Sequence, residues 1–185
     1  MSLPRGFKAN AERESLRLRS EMGLRKTDAI DVTELAAHLD VAVVSAAELI
    51  DVGRLEELER IQAYSFSAAT FEIGDRTIIV SSPLRSSGRS ASDIAHELSH
   101  LLLKHELSEV REIEGVLFRT CRPEEEEQAT NFGGTLLLPR PLLMAAAGRG
   151  LGPEQIAEHY DVTVEMARFR YNSTGVGRQL NARGR

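Results

Sequence analysis

The stretch Ser90-Ala91-Ser92-Asp93-Ile94-Ala95-His96-Glu97-Leu98-Ser99-His100-Leu101-Leu102-Leu103 decides how this chain is read. Ala91, Ile94, Ala95, Leu98, Leu101 and Leu102 recur at helical spacing, which predicts a helix over residues 90–103. Ser90 or Ser92 can cap its start, and Asp93 suits the positive end of the helix dipole. The preceding run Arg85-Ser86-Ser87-Gly88-Arg89-Ser90 reads as a loop. His96 and His100 then stand one turn apart on one face, where both imidazoles can reach a single metal ion. Glu97 lies about 100° round from His96, a position suited to acting on a water molecule rather than to binding the metal. Two polar residues on a solvated face would be the bland alternative. The leucines at 98, 101, 102 and 103 argue against it, because they call for burial on more than one side.

A catalytic zinc needs a third protein ligand and an open position. Candidates are His38, His105, His159, the lone Cys121 and the acidic run Glu124 to Glu127. Cysteine beside an arginine and a proline reads as a bystander. The acidic run leads into a predicted helix whose apolar face is Ala129, Phe132, Gly133, Leu136 and Leu137. Glu125 and Glu126 project near that face, whereas Glu124 and Glu127 point away. An acidic first turn also complements the helix dipole without any metal. Periodicity leaves Glu125 and Glu126 both open.

HExxH followed by Glu126-Glu127-Gln128-Ala129-Thr130-Asn131-Phe132-Gly133-Gly134-Thr135-Leu136-Leu137-Leu138-Pro139 resembles the ImmA/IrrE family of zinc metallopeptidases. The N-terminal RGFKANAERESLRLRSEMGL and the strand-like RTIIVSS also resemble this family, so the likeness covers nearly the whole chain. The resemblance implies an α+β, zincin-like core of the gluzincin type, with a small, mostly antiparallel sheet packed on helices. It implies one zinc held by His96, His100 and Glu126, with Glu97 as general base. The substrate it implies is a helix-turn-helix transcriptional repressor, cleaved to induce genes. Two departures stand out: Gly133 and Gly134 replace common alanines, which should loosen that helix, and Gln128 replaces a frequent second acid.

The chain has 185 residues, 42% hydrophobic and 28% charged, with formal net charge -5. That is ordinary for a soluble globular protein of one domain, or of a domain plus a small appendage. No apolar run approaches the roughly 20 residues that cross a bilayer. The charged N-terminus lacks a signal-peptide core, and a single cysteine allows no internal disulfide; both lead to the expectation of a cytoplasmic protein.

Helices are predicted over residues 8–22 and 31–39, the second capped by Asp31. Val41 to Val44 reads as a short strand, and the region around Glu56 to Glu59 as a solvated helix or loop. Tyr64 to Ile73 and Arg76 to Ser82 read as a hairpin turning at Gly74-Asp75. Residues 76–81 are expected to be the sheet edge on which an extended substrate pairs. Residues 1–139 form the expected metallopeptidase core, and 140–185 a helical element packed on it.

Within that element Pro141 to Ala147 is a short helix and Gly148 to Pro153 a break. Glu154 to Tyr171 resembles a helix-turn-helix with Thr163 as cap of its second helix. Beyond Glu165 come Arg168, Arg170, Arg178, Arg183 and Arg185 and no acid, a basic patch that permits nucleic-acid contact. The reading positions, however, hold Val164, Glu165, Met166 and Ala167, where base readout wants polar donors. Specific DNA binding is therefore not expected. The leading function is a zinc endopeptidase. The alternative is a DNA-binding or partner-binding regulator with a non-catalytic metal site, against which Glu97 argues. Tyr160, Tyr171, His105 and His159 are all candidates to stabilise an oxyanion.

Overall fold

The computed structural model of the protein describes residues 3–63, 65–105, 109–113 and 116–183. Tyr64 of the predicted first hairpin strand and Arg185 of the basic patch lie outside them. The chain begins with α1 (Phe7–Glu21) and α2 (Val32–His38). The Asp31 side chain accepts from the amides of Thr33 and Glu34, the cap expected from the sequence. Next come β1 (Val41–Ser45), a 3-10 turn at Ala46–Glu48, α3 (Val52–Ile61), β2 (Ala68–Ile73) and β3 (Arg76–Ser81). The motif helix α4 (Ser87–Leu103) is followed by the hairpin strands β4 (Glu109–Ile113) and β5 (Val116–Thr120). The rest is helical: α5 (Pro123–Leu137), α6 (Arg140–Gly148), α7 (Pro153–His159), α8 (Val164–Thr174) and α9 (Val176–Arg183).

The main sheet has strand order β1-β3-β2. β2 and β3 form the predicted antiparallel hairpin, with Gly74 at φ 61 in its turn, and β1 joins β3 in parallel. Helices α2 and α4 cover one face, where Ile79 and Val41 enter the main core. On the opposite face a smaller cluster of Val80, Ala46 and Leu55 forms beneath α3. The molecule is thus α+β, with helices on both sides of a short mixed sheet.

The expected free edge at residues 76–81 is not what forms, because β3 is the middle strand. A short run such as Val41 to Ser45 carries no local signal of its pairing partner, and its parallel docking fills that side of β3. The edge strand next to the motif helix is β2, which among the described residues pairs with β3 alone and keeps its other side unpaired.

The motif helix also starts three residues earlier than the pattern predicts, at Ser87. Tertiary contact explains this. A Cβ on Gly88 would lie 2.9 Å from the carbonyl carbon and 3.0 Å from the Cα of Val162, so glycine lets α4 touch the turn between α7 and α8. Ser87 donates to the Asp161 carboxylate there at 2.7 Å. Helix propensity alone favours Gly88→Ala by about 1 kcal/mol, yet the clash is with backbone that cannot step aside. We expect Gly88→Ala to lower stability by about 1–3 kcal/mol, read as a lower urea midpoint at unchanged slope. A midpoint equal to or above wild type would show that this turn yields freely.

Two buried arginines hold the far end of α5. Arg19 of α1 donates to Leu137 O at 3.2 Å, and Arg170 of α8 to Leu138 O at 3.1 Å. These carbonyls lack helical partners, and cations suit the negative end of the helix dipole. Glu12 ties the arrangement together, accepting from the Arg170 side chain at 2.7 Å and from the Arg140 amide at 2.9 Å. Burial lowers the pKa of Arg19 to about 10, with Glu12 and Asp28 opposing the shift. One apolar core runs from Phe7 to Val176 and takes in Ile156, Val162 and Ala167 of the C-terminal helices.

Candidate metal centre

α4 presents His96 and His100 on one face, as one helical turn requires. α5 supplies Glu126 from its first turn. The Nε2 atoms of the two histidines lie 3.0 Å apart, and Glu126 Oε2 lies 3.1 Å from His96 Nε2. Glu126 Oε1 is 3.6 Å from His100 Nε2. One donor atom from each of the three falls within 4.8 Å of the others. Tetrahedral coordination with zinc bonds of about 2.0–2.1 Å would separate neighbouring donors by about 3.3 Å. The observed spacings straddle that value, so the set fits a zinc ion with shifts of a few tenths of an ångström. About half of the Glu126 side chain remains exposed.

What brings α5 close enough is Gly133, two turns beyond Glu126. A Cβ there would stand 3.1 Å from the carbonyl carbon and oxygen of Ala95 and 3.2 Å from the amide nitrogen of His96. The glycine expected to loosen this helix instead lets it lie against the backbone that carries His96. Gly134 has a matching role on the other side, where a Cβ would meet Met166 and Arg170 of α8.

Glu125, the other candidate that periodicity leaves open, is engaged elsewhere. Its carboxylate folds back to accept from the Arg122 amide at 2.9 Å and closes the start of α5. Glu126 has no such local partner. Hydrogen bonds from His100 and His96 hold its carboxyl well below the usual range.

The outer ring nitrogens of both histidines also have neighbours. His96 Nδ1 lies 3.5 Å from the Thr130 hydroxyl. His100 Nδ1 lies 3.0 Å from His105 Nδ1 and 3.3 Å from Cys121 Sγ. Such partners fix the orientation of a ligating imidazole. Burial, with His100 beside it, lowers the pKa of His105, opposed by the Gln128 side chain, which favours the protonated ring as an acceptor. Burial pushes the Cys121 thiol up to about 11, with Glu126, Glu125 and Glu97 adding to the shift. His105 and Cys121 therefore stand behind His100, on the side away from Glu126. His38 lies against Glu21 at 3.5 Å.

Glu97 turns toward the sheet. Its Oε2 accepts from the Thr70 hydroxyl of β2 at 2.6 Å. Thr70, Thr130 and the Gly133 contact are features the sequence pattern did not single out. Thr70 was legible only as a β-branched polar residue within an apolar strand.

The C-terminal helices lie elsewhere. His159 and Tyr160 line a cleft of about 460 Å³ with Arg25, Thr27, Asp28, Ala29, Ala145 and Arg149, and no residue of α4 or α5 borders it. Tyr171 packs against Gly177. The helix-turn-helix geometry forms as expected, with Thr163 accepting from the Met166 amide. Two of its arginines are engaged: Arg168 pairs with Glu154 at 2.6 Å, and Arg170 is buried against Glu12.

A helix bearing HExxH, closed by a second helix that adds a glutamate and backed by a short sheet, is the architecture of a metallopeptidase domain. The family model Peptidase_M78: IrrE N-terminal-like domain matches residues 57–172, more than half of the chain, and the protein belongs to that family. The match begins in α3 and reaches into α8, so it includes the packed helical pair. Among solved structures, a Mycobacterium tuberculosis transcriptional regulator has the same fold, with TM-score 0.54 and 18% identity. The similarity covers 91% of this chain and 47% of that one, so the present chain spans about half the neighbour's length. No curated protein matches the sequence. Among the described residues, no helix is long and apolar enough to cross a membrane.

Proposed function

We propose that the protein is a zinc-dependent endopeptidase that cleaves a helix-turn-helix transcriptional repressor in the cytoplasm. The observation that carries the reading is the convergence of His96, His100 and Glu126, with Glu97 beside them and tied to a strand with a free side. His96, His100 and Glu126 would hold the metal. When bound, zinc supplies a Lewis acid for the scissile carbonyl and brings the pKa of water toward neutrality.

The chain's own residues do the rest. Glu97 takes the proton of the attacking water on its carboxylate and delivers it to the departing amine nitrogen. β2 offers its unpaired side to an extended substrate backbone, so that main-chain hydrogen bonds align the scissile bond before attack. Residues 140–185 act as a helical buttress for this core. Pairing of Arg168 and burial of Arg170 disfavour a DNA-reading role for them. The M. tuberculosis neighbour is a transcriptional regulator, which supports a regulatory setting.

The test is to incubate the zinc-loaded protein with a helix-turn-helix repressor encoded beside it and follow fragments by mass spectrometry. We expect one dominant cut that excess chelator prevents. A repressor that stays intact would sink the substrate assignment, and cleavage that persists in chelator would sink the metal assignment.

A further inference from the structure

We infer that Thr70 is a positioning residue for Glu97, fixing the carboxylate that the proposed peptidase reaction uses as its base. The inference rests on that reading of the site. The Thr70 hydroxyl donates to Glu97 Oε2 at 2.6 Å, a short hydrogen bond between two side chains. The bond joins a strand to a helix across 27 residues of sequence, so it does not arise from local chain geometry. Thr70 sits in β2 directly opposite Ile79, which is fully buried, and the ladder holds its backbone in register. Its branched Cβ restricts the hydroxyl to few rotamers.

Glutamate has three side-chain torsions and would otherwise sample many positions above the site. Holding Oε2 leaves Oε1 free to receive a proton, and the same bond fixes where that oxygen points. The placement on β2 adds a second consequence. Substrate backbone laid along the free side of β2 and the base held by Thr70 would share one rigid strand, so docking and proton transfer keep a common reference. Along that strand Phe71 and Ile73 point to the other face and remain about half exposed or more, whereas Thr70 turns toward α4.

Thr70→Val removes the hydroxyl at nearly constant volume, and Thr70→Ser keeps it. Each full-length variant is loaded with zinc and assayed on an internally quenched peptide library, and its zinc content is measured. A lost hydrogen bond to a charged group predicts a kcat lower by about 10–100-fold for Thr70→Val. KM and zinc content should stay at wild-type values, and Thr70→Ser should recover most of the rate. Crystal structures of the three zinc-loaded proteins should show the Glu97 carboxylate displaced only in Thr70→Val. Wild-type kcat in Thr70→Val, or a rise in KM with kcat preserved, would overturn the assignment. If the wild-type protein cleaves no peptide, the peptidase reading fails by itself. The Glu97 position in those crystals then decides the role of Thr70, and an unmoved carboxylate in Thr70→Val overturns it.

Discussion

Glu97→Gln is expected to leave the protein folded and zinc-loaded while cleavage falls by about 10²–10⁴-fold, the range of a positioned general base. That corresponds to about 3–5 kcal/mol of transition-state stabilisation. The substitution isolates proton transfer because little else changes. Glutamine keeps a carbonyl oxygen that can accept from the Thr70 hydroxyl, so the side chain retains its anchor on β2. The three donors that converge nearby belong to His96, His100 and Glu126, so the metal site loses none of them. What disappears is the capacity to take a proton from water and pass it to the leaving nitrogen. Rates on a cleaved repressor and zinc content by elemental analysis check this together. Undiminished activity would remove Glu97 from the mechanism. Loss of zinc along with activity would mean that its carboxylate binds metal or supports folding.

Local periodicity made much of this site legible. Residues 96 and 100 share a face because a helix turns every 3.6 residues, and no tertiary information is needed to see it. The cap at Asp31 and the turn at Gly74-Asp75 were legible for the same reason, since each depends on chemistry within three or four residues. The glutamate run was legible only in part. Helical phase separates opposite faces but cannot rank neighbours about 100° apart, so it left Glu125 and Glu126 equivalent, and only the family resemblance pointed to Glu126. The Glu125 carboxylate bonds the Arg122 amide, a cap that depends on where the helix begins.

The misreadings all concern contacts between distant segments. Propensity places Gly88 in a loop and makes Gly133 a weak point, yet each is where two backbones meet. Strand order likewise depends on long-range pairing, so β3 looked like an edge until β1 occupied its other side. Composition also does not reveal that Arg170, one of the five arginines past Glu165, reaches back to Glu12, 158 residues away. These are tertiary decisions, and an amphipathic pattern carries no record of them.

Among the four consecutive glutamates, replacement by glutamine should separate one residue from the other three. Glu126→Gln should weaken zinc binding by about two orders of magnitude or more, since a ligand matters at least as much as the residues that support it. An amide oxygen is a neutral donor and cannot offset the metal's charge as a carboxylate does. Glu124→Gln and Glu127→Gln should leave affinity unchanged. Glu125→Gln should keep the cap at the start of α5, because its amide oxygen can still accept from the Arg122 amide, with affinity little altered. His100→Ala provides the reference for losing a ligand, and the Glu126→Gln affinity should fall as that of His100→Ala does. Competition against a chromogenic zinc chelator measures all five proteins on one scale. The informative failure is Glu125→Gln stripping the metal while Glu126→Gln retains it. That result would mean the first turn of α5 rotates by one residue when metal binds, exchanging the cap and the ligand. Full zinc affinity in His100→Ala would be more damaging, because it would move the metal off the motif helix altogether.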